Sequence, residues 1–486
     1  MTAVKICLVS SEAVPYAKTG GLADVTAALA SFLGSEGQDV RLFLPRYRQL
    51  ETAGRTLLPV EYLQRLTLTM GGRRFAYSVW TDPGVGDGSH RYFIDCPALF
   101  HRKSLYTSDP DEHIRFAFFS RACLECCQRM GWAPDVVHCN DWHTALIPLY
   151  LKQHYSWDRL FARTRTLLAI HNIGYQGVFS AKALGDLDLE GSADLLYQED
   201  LAADRINFLK TGLLYANGLS TVSRTYAREI QTSEYGMGLE DLLRTRADSL
   251  VGIVNGVDYG EWSPEADARI PHSYSAEDLT GKRQNKQHLL RSLDLPYDEK
   301  APVFGLVSRL TAQKGIDLLF EPLPEMLAWR NVRLVLLGSG EGRYESFFHR
   351  LQQTFPEKVC YYRGYSEDLA HLIEAGSDVF LMPSRYEPCG LNQMYSLRYG
   401  TVPIVRKTGG LADTVQLFDP ASGEGTGFVF DHYSADGVRW ALSAALDCWK
   451  DQDSWRQLIL NGMAKDFSWQ VQGQEYLNLY RHLGGR

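Results

Sequence analysis

A seven-residue segment that occurs twice constrains the fold of this chain most strongly. Residues 18–24 read KTGGLAD, and residues 407–413 repeat the same seven letters 389 positions later. Each copy follows a short apolar run and opens a stretch with helical periodicity, so each is predicted to form a corner between a strand and a helix. Two such corners indicate two similar, Rossmann-like α/β domains.

The paired glycines of each copy suit contact with an anion. Glycine lets backbone N–H groups approach a ligand closely, and the helix that follows adds its positive end. We predict an anion site at Gly20 and Gly21. For Gly409 and Gly410, an anion site and a plain tight turn remain open alternatives.

The rest of the chain alternates short apolar runs with helical segments. Continuous apolar runs are typical of strands buried on both faces, as in a parallel sheet covered by helices. The predicted strands are residues 4–10, 40–44, 75–80, 92–95, 135–139, 167–170, 219–222 and 250–254 in a first series, and 303–307, 332–337, 358–362, 378–382 and 402–405 in a second. The predicted helices include 22–33 and 110–130, the second starting at an Asp109 cap with Pro110 as its first residue.

A polar, loop-like stretch after Gly256 separates the two series and predicts a domain hinge. We therefore expect an α/β fold with two Rossmann-like, doubly wound domains. The predicted domains are residues 1–256 and 257–460, followed by a helical segment, 461–486, whose aromatic residues are spaced for packing.

Composition excludes several classes of partner. Fifty Lys and Arg against 58 Asp and Glu give a formal net charge of -8, which repels a phosphate backbone and argues against nucleic acid. Without a run of eighteen apolar residues, no membrane partner is expected. The nine scattered cysteines, and a first apolar run interpreted as a buried strand rather than a targeting segment, predict the reducing cytoplasm.

Two cations follow the predicted strand 303–307. Arg309 and Lys314 lie five residues apart, and at the carboxyl end of a parallel strand a forked guanidinium and an ammonium suit a diphosphate. The alternative is a solvated helix start with a salt bridge to Asp317.

The segment SRYEPCGLN, residues 384–392, places an acid at the next strand end. Leu391 and Asn392 offer N–H groups at the start of a helix, which suits a phosphate. A carboxylate beside such a site is expected to address a sugar hydroxyl or the positive charge that develops on an anomeric carbon. Glu387 is the candidate for that role, with helix capping or pairing with Arg385 as the alternative.

In the first series, HCNDWH at residues 138–143 and HN at 171–172 end predicted strands, and Asn255 lies at the hinge. They offer the donors, acceptors and aromatic face with which proteins hold sugars. Metal binding by His138, Cys139 and His143 is the alternative, although neighbouring residues of one strand and its loop do not converge like paired ligands.

Two pairs of acids are spaced like ligands of a metal on a sugar nucleotide, at residues 109 and 111 and at residues 186 and 188. We interpret both pairs as helix caps or loop charges. No required metal and no cofactor is therefore predicted.

Six segments occur in a fixed order: KTGGLADV, HNIGYQG, NGVD, SRLTAQKGID, PSRYEPCGLNQ and KTGGLADTV. Over essentially its whole length the chain resembles bacterial glycogen synthases and plant starch synthases that use ADP-glucose. The resemblance implies a GT-B fold, in which two Rossmann-like domains face each other across a cleft and the last helix crosses back to the first domain. It also implies transfer of glucose from ADP-glucose, with retention and no metal, to the non-reducing 4-hydroxyl of glycogen or another α-1,4-glucan.

The resemblance assigns roles to individual residues. Arg309 and Lys314 would neutralise the leaving diphosphate, and Glu387 would bind a glucose hydroxyl and stabilise the oxocarbenium-like state. His171, counted with these as catalytic, would hold the glucosyl unit. The implied donor-binding residues are Lys18, Gly20, Gly21, Asn255, Tyr365 (stacked on adenine), Leu391 and Asn392, and the implied sugar and acceptor residues are Asp141, Trp142 and Asn172.

Three positions depart from the family pattern. Tyr395 stands where the broader retaining GT-B group has a second Glu, so no ribose-binding carboxylate is assigned. Asn392 replaces the usual Thr, and Ile173 with Gly174 replaces Leu-Ala. Two other functions stay open: a transferase that uses UDP-glucose or another acceptor, and a catalytically silent glucan-binding or regulatory protein.

Overall fold

The computed structural model describes residues 3–52 and 56–485. The first two residues of the predicted strand-forming N-terminal segment, Met1 and Thr2, lie outside this part, as do residues 53–55 and Arg486. The chain divides into two compact units. Unit 1 comprises residues up to Val222, Ala227–Gly256 and the chain from Trp469 onward, and unit 2 comprises Ser223–Tyr226 and Val257–Ser468.

Unit 1 is built on a ten-stranded sheet. Its chain contributes strands β1 (Lys5–Val9), β2 (Asp39–Pro45), β3 (Leu58–Pro59), β4 (Leu66–Met70), β5 (Arg73–Thr81), β6 (Ser89–Asp95), β7 (Val136–Asn140), β8 (Arg165–Ile170), β9 (Val178–Ser180), β10 (Arg205–Asn207), β11 (Gly218–Thr221) and β12 (Leu250–Gly252). The order is β12-β11-β8-β7-β1-β2-β6-β5-β3, with β4 paired to β5, while β9 and β10 form a separate pair. Every predicted strand of the first series is present.

The parallel pattern predicted for this sheet holds from β12 to β6. Beyond β6 the pairing becomes antiparallel, first with β5 and then with β3 and β4. β5 alternates exposed and buried residues over part of its length, as expected of a strand with one face toward solvent. The sheet is therefore mixed.

Helices of unit 1 cover the parallel part of the sheet. They are α1 (Gly21–Ser35), α2 (Pro97–Phe100), α3 (Glu112–Arg129), α4 (Ile147–Gln153), α5 (Gln198–Ala202), α6 (Phe208–Tyr215), α7 (Arg224–Glu229, shared with unit 2) and α8 (Glu240–Thr245). The predicted start of α3 was wrong: Asp109 does not cap it, and Pro110 is not its first residue. The carboxylates of Asp109 and Asp111 instead each pair with the Arg102 guanidinium at 2.6 Å, so the chain enters the helix two residues later.

Unit 2 contains a fully parallel six-stranded sheet. Its strands are β13 (Val303–Val307), β14 (Arg333–Gly338), β15 (Val359–Arg363), β16 (Val379–Met382), β17 (Val402–Arg406) and β18 (Phe428–Phe430). The order β15-β14-β13-β16-β17-β18 is the 3-2-1-4-5-6 arrangement of a doubly wound nucleotide-binding fold. The accompanying helices are α9 (Thr280–Ser292), α10 (Pro322–Trp329), α11 (Gly342–Thr354), α12 (Glu367–Gly376), α13 (Asn392–Arg398), α14 (Gly409–Thr414), α15 (Ala435–Trp449) and α16 (Gln452–Met463).

The last helix, α17 (Trp469–Leu483), belongs to unit 1. Its aromatic residues join the core built around α1 and β1, and the hydroxyl of Tyr480 lies 2.7 Å from Nδ1 of His138. The ring of Phe32 occupies the space that a side chain at Gly473 would need, so glycine permits close packing of α17 on α1. In residues 3–52 and 56–485, no helix has the length and hydropathy needed to cross a membrane.

Candidate active site

Both large sheets reverse their strand order beside their first strand. In unit 1 the reversal lies between β1 and β7, and in unit 2 between β13 and β16. Loops at the carboxyl ends of such strands diverge and leave a crevice in which doubly wound proteins bind ligands. The predicted site residues of each unit are concentrated at these two points.

In unit 2 the structure brings Lys314 and Glu387 together. The Lys314 ammonium lies 2.6 Å from Oε2 of Glu387, and the Ser384 hydroxyl donates to the same oxygen at 2.9 Å. The Glu387 carboxylate is buried, so the ammonium balances its charge where water is scarce. Glu387 therefore pairs with Lys314 rather than with Arg385, and Asp317 accepts from the Tyr433 hydroxyl instead of pairing with Lys314.

A glycine allows the two loops that carry this pair to meet. Gly315 follows Lys314 with a φ of +64°, and a Cβ at this position would lie 2.0 Å from the Pro383 carbonyl oxygen. The Arg385 N–H donates to the Gln313 carbonyl at 2.8 Å and fastens the loops together. Close backbone contact therefore requires a glycine directly after Lys314.

Arg309 follows β13 and projects into solvent. Within the described part of the chain its guanidinium has no hydrogen bond or ion pair, in contrast to Lys314. The N–H groups of Leu391 and Asn392 likewise find no acceptor among the described residues, while the Asn392 side chain donates to the Val307 carbonyl at 3.1 Å. The end of β13 thus presents a cation and two N–H groups that are available to an anion.

Tyr365, the residue expected to stack on adenine, lies after β15. Its side chain is 65% exposed, and its hydroxyl donates to Oε2 of Glu367. The ring is therefore accessible to a planar ligand.

The second KTGGLAD corner does not offer its glycine N–H group to a ligand. The Gly410 N–H donates to the carbonyls of Glu387 and Pro388, at 3.0 and 3.2 Å. A Cβ at Gly409 would lie 1.8 Å from the Glu387 carbonyl oxygen, and one at Gly410 would lie 2.0 Å from that of Cys389. Of the two alternatives, the anion site is wrong at Gly410, because this corner packs against the loop that carries Glu387.

The first corner holds a carboxylate that sequence reasoning missed. Glu12 lies three residues after the end of β1. Its carboxylate accepts from the N–H groups of Thr19 and Gly20 and from the Thr19 hydroxyl. The Tyr106 hydroxyl adds a fourth donor at 2.5 Å. The position of an acid shortly after the first strand is the sequence signal from which this role could have been predicted. Lys18, assigned to phosphate by resemblance, pairs with Asp24 at 2.9 Å.

Asp141 lies at the reversal point of unit 1, directly after β7. It adopts a positive φ of 54°, and its buried carboxylate accepts from the N–H groups of His171 and Asn172. Burial raises the pKa of Asp141 to about 7, because desolvation and the nearby charge of Glu12 outweigh these hydrogen bonds. A carboxyl group that changes charge near neutrality, beside Glu12, is an unusual feature of this crevice.

His171 follows β8, beside Asp141. Its Nε2 lies 2.8 Å from Oδ1 of Asn140, and burial lowers the pKa of His171 to about 4, so the imidazole is neutral at pH 7. The side chain of Asn172 accepts from the Gly174 N–H at 3.0 Å and shapes the turn that follows.

The structure gives Trp142 and Asn255 different surroundings. The indole of Trp142 stacks on His143 at 4.1 Å and covers Gly177, whose Cβ would fall 2.3 Å from the ring. Asn255 is buried, and its Oδ1 has no hydrogen-bond partner among the described residues. A buried, unsatisfied acceptor indicates a place for a ligand hydroxyl.

The alternative metal site is not assembled. In the described residues, His138, Cys139 and His143 form no group with converging ligand atoms, and His138 faces Tyr480 instead. The remaining acid pair is also accounted for: Asp186 lies 3.0 Å from Nε2 of His113, and Asp188 lies 2.5 Å from the Arg121 guanidinium.

Comparison with known families covers both units. Residues 5–245 match the family described as "Starch synthase catalytic domain", and residues 293–459 match "Glycosyl transferases group 1". The glycogen synthase of Koribacter versatilis is 45% identical over 479 residues, which cover 98% of this chain and 97% of that protein. The glycogen synthase of Desulforudis audaxviator is 44% identical, with coverage of 98% and 96%.

Two solved structures are similar to this chain in fold. The catalytic domain of Starch Synthase IV from Arabidopsis thaliana, bound to ADP and acarbose, superposes with a TM-score of 0.92 at 33% identity and full coverage of both chains. Sucrose-phosphate synthase from Thermosynechococcus elongatus superposes with a TM-score of 0.61 at 17% identity, covering 99% of each chain, which shows a shared fold.

Proposed function

Because the chain belongs to the glycogen and starch synthase family of glycosyltransferases, we propose that it transfers glucose from ADP-glucose to the non-reducing 4-hydroxyl of an α-1,4-glucan. The anomeric configuration is retained and no metal takes part. The ADP and acarbose carried by the Arabidopsis relative support a nucleotide donor and a glucan acceptor. A cytoplasmic location accords with these substrates.

The observation that carries the proposal is the arrangement of cations around Glu387. Lys314 is already held against its carboxylate, whereas the Arg309 guanidinium at the adjoining strand end has no partner among the described residues. A diphosphate that leaves the anomeric carbon gains negative charge, and preorganised cations stabilise it more in the transition state than in the ground state. The free N–H groups of Leu391 and Asn392 add two donors for the same phosphates.

Glu387 addresses the sugar in this proposal. Its Oε2 is occupied by Lys314 and Ser384, which leaves Oε1 for a glucose hydroxyl. The carboxylate also opposes the positive charge of an oxocarbenium-like transition state. Tyr365 stacks on the adenine of the donor.

Residues of unit 1 hold the glucosyl unit and the acceptor. The neutral imidazole of His171 and the unsatisfied Oδ1 of Asn255 suit sugar hydroxyls. Asp141, with Trp142 and Asn172 beside it, is assigned to the sugar and acceptor. Lys18 and the Gly20 and Gly21 backbone are assigned to donor phosphates, and a phosphate at Gly20 would take the place of the Glu12 carboxylate on its N–H group.

The test compares ADP-glucose and UDP-glucose as donors to glycogen in excess EDTA, with nucleoside diphosphate release and glucan mass followed together. ADP release with matching glucan growth is expected, and NMR of the new linkages should show the α-anomer. Faster turnover of UDP-glucose would favour the other donor. Glycogen binding without turnover of either donor would instead indicate a silent binding protein.

The residue roles are tested with Arg309→Ala. Because this guanidinium makes no hydrogen bond or ion pair within the described residues, its removal is expected to leave the stability of the fold unchanged. Loss of one such cation is expected to cost about 2 to 4 kcal/mol of transition-state stabilisation, or roughly 30- to 1,000-fold in kcat/KM. Arg330→Ala, another exposed arginine of unit 2, is the control. Near-normal transfer by Arg309→Ala at an unchanged Tm would refute the diphosphate role.

A further inference from the structure

A cluster of metal-ligating side chains lies in unit 2, and one of its members, Glu367, accepts a hydrogen bond from Tyr365. Glu261, Glu367 and His371 each offer one ligand atom, and these atoms lie within 4.8 Å of one another. Glu367 and His371 are four residues apart on α12 and so share one helix face. Glu261 comes from the loop that opens unit 2. No other group of three with this geometry occurs in residues 3–52 and 56–485.

The Nε2 atom of His371 faces the two glutamates without a hydrogen bond to either of them. His371 is fully buried, and its Nε2 has no hydrogen-bond partner among the described residues. Oε1 of Glu367 lies 3.7 Å away, beyond hydrogen-bond distance. A buried polar atom without a partner is costly in a native structure, so it indicates an absent ligand.

The other side of the same imidazole is held firmly. Its Nδ1 lies 2.8 Å from Oδ2 of Asp267, and the Tyr399 hydroxyl fixes that carboxylate at 2.5 Å. Trp262 stacks on the ring at 3.7 Å. A carboxylate on Nδ1 sets the tautomer that points the Nε2 lone pair outward, as in histidine ligands of metal sites.

The charge around the cluster favours a dication. Four carboxylates, those of Glu261, Glu367, Asp267 and Asp368, surround one guanidinium and one imidazole. The guanidinium of Arg269 pairs with Asp368 at 2.5 Å, and the pKa of Arg269 is raised mainly by that bond. The carboxylates of Asp267 and Glu367 lie on either side of the His371 imidazole, at 2.8 Å and 3.7 Å from its two nitrogens.

We propose that Glu261, Glu367 and His371 bind one divalent first-row transition-metal ion, which ties the loop carrying Glu261 to α12. One imidazole and two carboxylates form a ligand set that suits Zn²⁺ and its neighbours better than Mg²⁺ or Ca²⁺. Ligand atoms on one Zn²⁺ lie about 3.3 Å apart. The pair from α12 is close to that spacing, at 3.7 Å, and the ligand atom of Glu261 lies within 4.8 Å of both.

The probe is Zn²⁺, titrated calorimetrically into the full-length, EDTA-treated and dialysed protein. One site per chain is expected. Glu261→Gln and Glu367→Gln should each weaken binding about tenfold or more, because each removes one ligand. Glu357→Gln removes an equal charge from an exposed position of the same unit and should leave the affinity unchanged. Both glutamate variants keep the buried histidine, so they test the site without threatening the core.

Two further readouts separate this site from adventitious binding. Co²⁺ should give visible d–d absorption bands that Zn²⁺ abolishes, and titration near pH 6 in buffers of different ionisation enthalpy should show proton release from His371. Absence of Zn²⁺ binding, or binding unchanged in both glutamate variants, would overturn the proposal. Glucan synthesis in EDTA is a separate measurement, so failure of either proposal can be recognised by itself.

Discussion

The two KTGGLAD corners have the same seven residues but different surroundings. In unit 1, the N–H groups of Thr19 and Gly20 converge on the carboxylate of Glu12. In unit 2, the Gly410 N–H donates to backbone carbonyls of the loop that carries Glu387. The first corner is a concave set of donors around an acid, and the second is a packing contact between two backbones.

The aspartates at the end of each copy differ in the same way. Asp24 forms an ion pair with Lys18 within its own segment, whereas Asp413 accepts from both the N–H and the hydroxyl of Thr225. The comparison teaches that a local sequence specifies a turn and a helix start. The loop packed against that turn decides which groups the turn binds.

The largest expected effect is a difference in stability between glycine variants of the two corners. Gly409→Ala should cost about 3 kcal/mol or more of unfolding free energy, because φ is +45° and the new Cβ would meet the Glu387 carbonyl oxygen. Gly20→Ala should change it by less than about 1 kcal/mol, since its φ of -158° is extended and its Cβ would meet no atom within 4 Å. Urea unfolding of both variants measures the difference.

Measurements of transfer activity further distinguish the two glycines, Gly20 and Gly409. Gly20→Ala is expected to fold normally and still lose transfer activity, because the first corner is proposed to contact the donor phosphates. Equal destabilisation by Gly20→Ala and Gly409→Ala would show that the two corners do not differ as described.

An intermediate effect is expected from the acid of the first corner. Glu12→Gln should lower the unfolding free energy by about 2 kcal/mol, because four donors converge on a carboxylate and an amide cannot accept from all of them. Hydrogen exchange of the Thr19 and Gly20 amides should accelerate, while that of Gly410 should not. Glu61→Gln, at an exposed position of unit 1, is the matched control. If the Thr19 and Gly20 amides of Glu12→Gln exchanged as slowly as in the unmodified protein, the role of Glu12 would be contradicted.

The smallest expected difference concerns the two aspartates. Asp413→Asn should cost about 1 kcal/mol, since it weakens two hydrogen bonds to Thr225. Asp24→Asn should cost less than about 0.5 kcal/mol, because a partly exposed ion pair contributes little. Thermal unfolding of the two variants side by side tests this ranking. A larger loss of stability in Asp24→Asn than in Asp413→Asn would contradict it.

Much of the fold was predictable from the chain. Buried parallel strands leave continuous apolar runs, and all five predicted strands of the second series are present within one or two residues of their predicted ends. The short edge strands β3 and β4 and the delayed start of α3 were not predicted. The α3 start depends on Arg102, a residue outside the helix that draws Asp109 and Asp111 away from capping it.

The candidate site was predictable as residue types but not as contacts. Arg309, Lys314 and Glu387 were placed at strand ends, yet only the structure pairs Lys314 with Glu387. Tyr395, which replaces the family's second Glu, stacks on Trp262 at 3.9 Å and with an interplanar angle of 3°. That contact joins residues more than 130 positions apart, so no local pattern could reveal it.

The sequence by itself determined the α/β class, the two strand series, the family and the chemical types available at the strand ends. These features depend on periodicity, glycine placement and composition, which act over a few residues. Tertiary structure alone decided that Glu12 fills the first corner, that the second corner packs on the Glu387 loop, and that Nε2 of His371 faces two glutamates. Glu387 and Gly410, like Glu261 and His371, lie far apart in the sequence, and only tertiary packing brings such residues together.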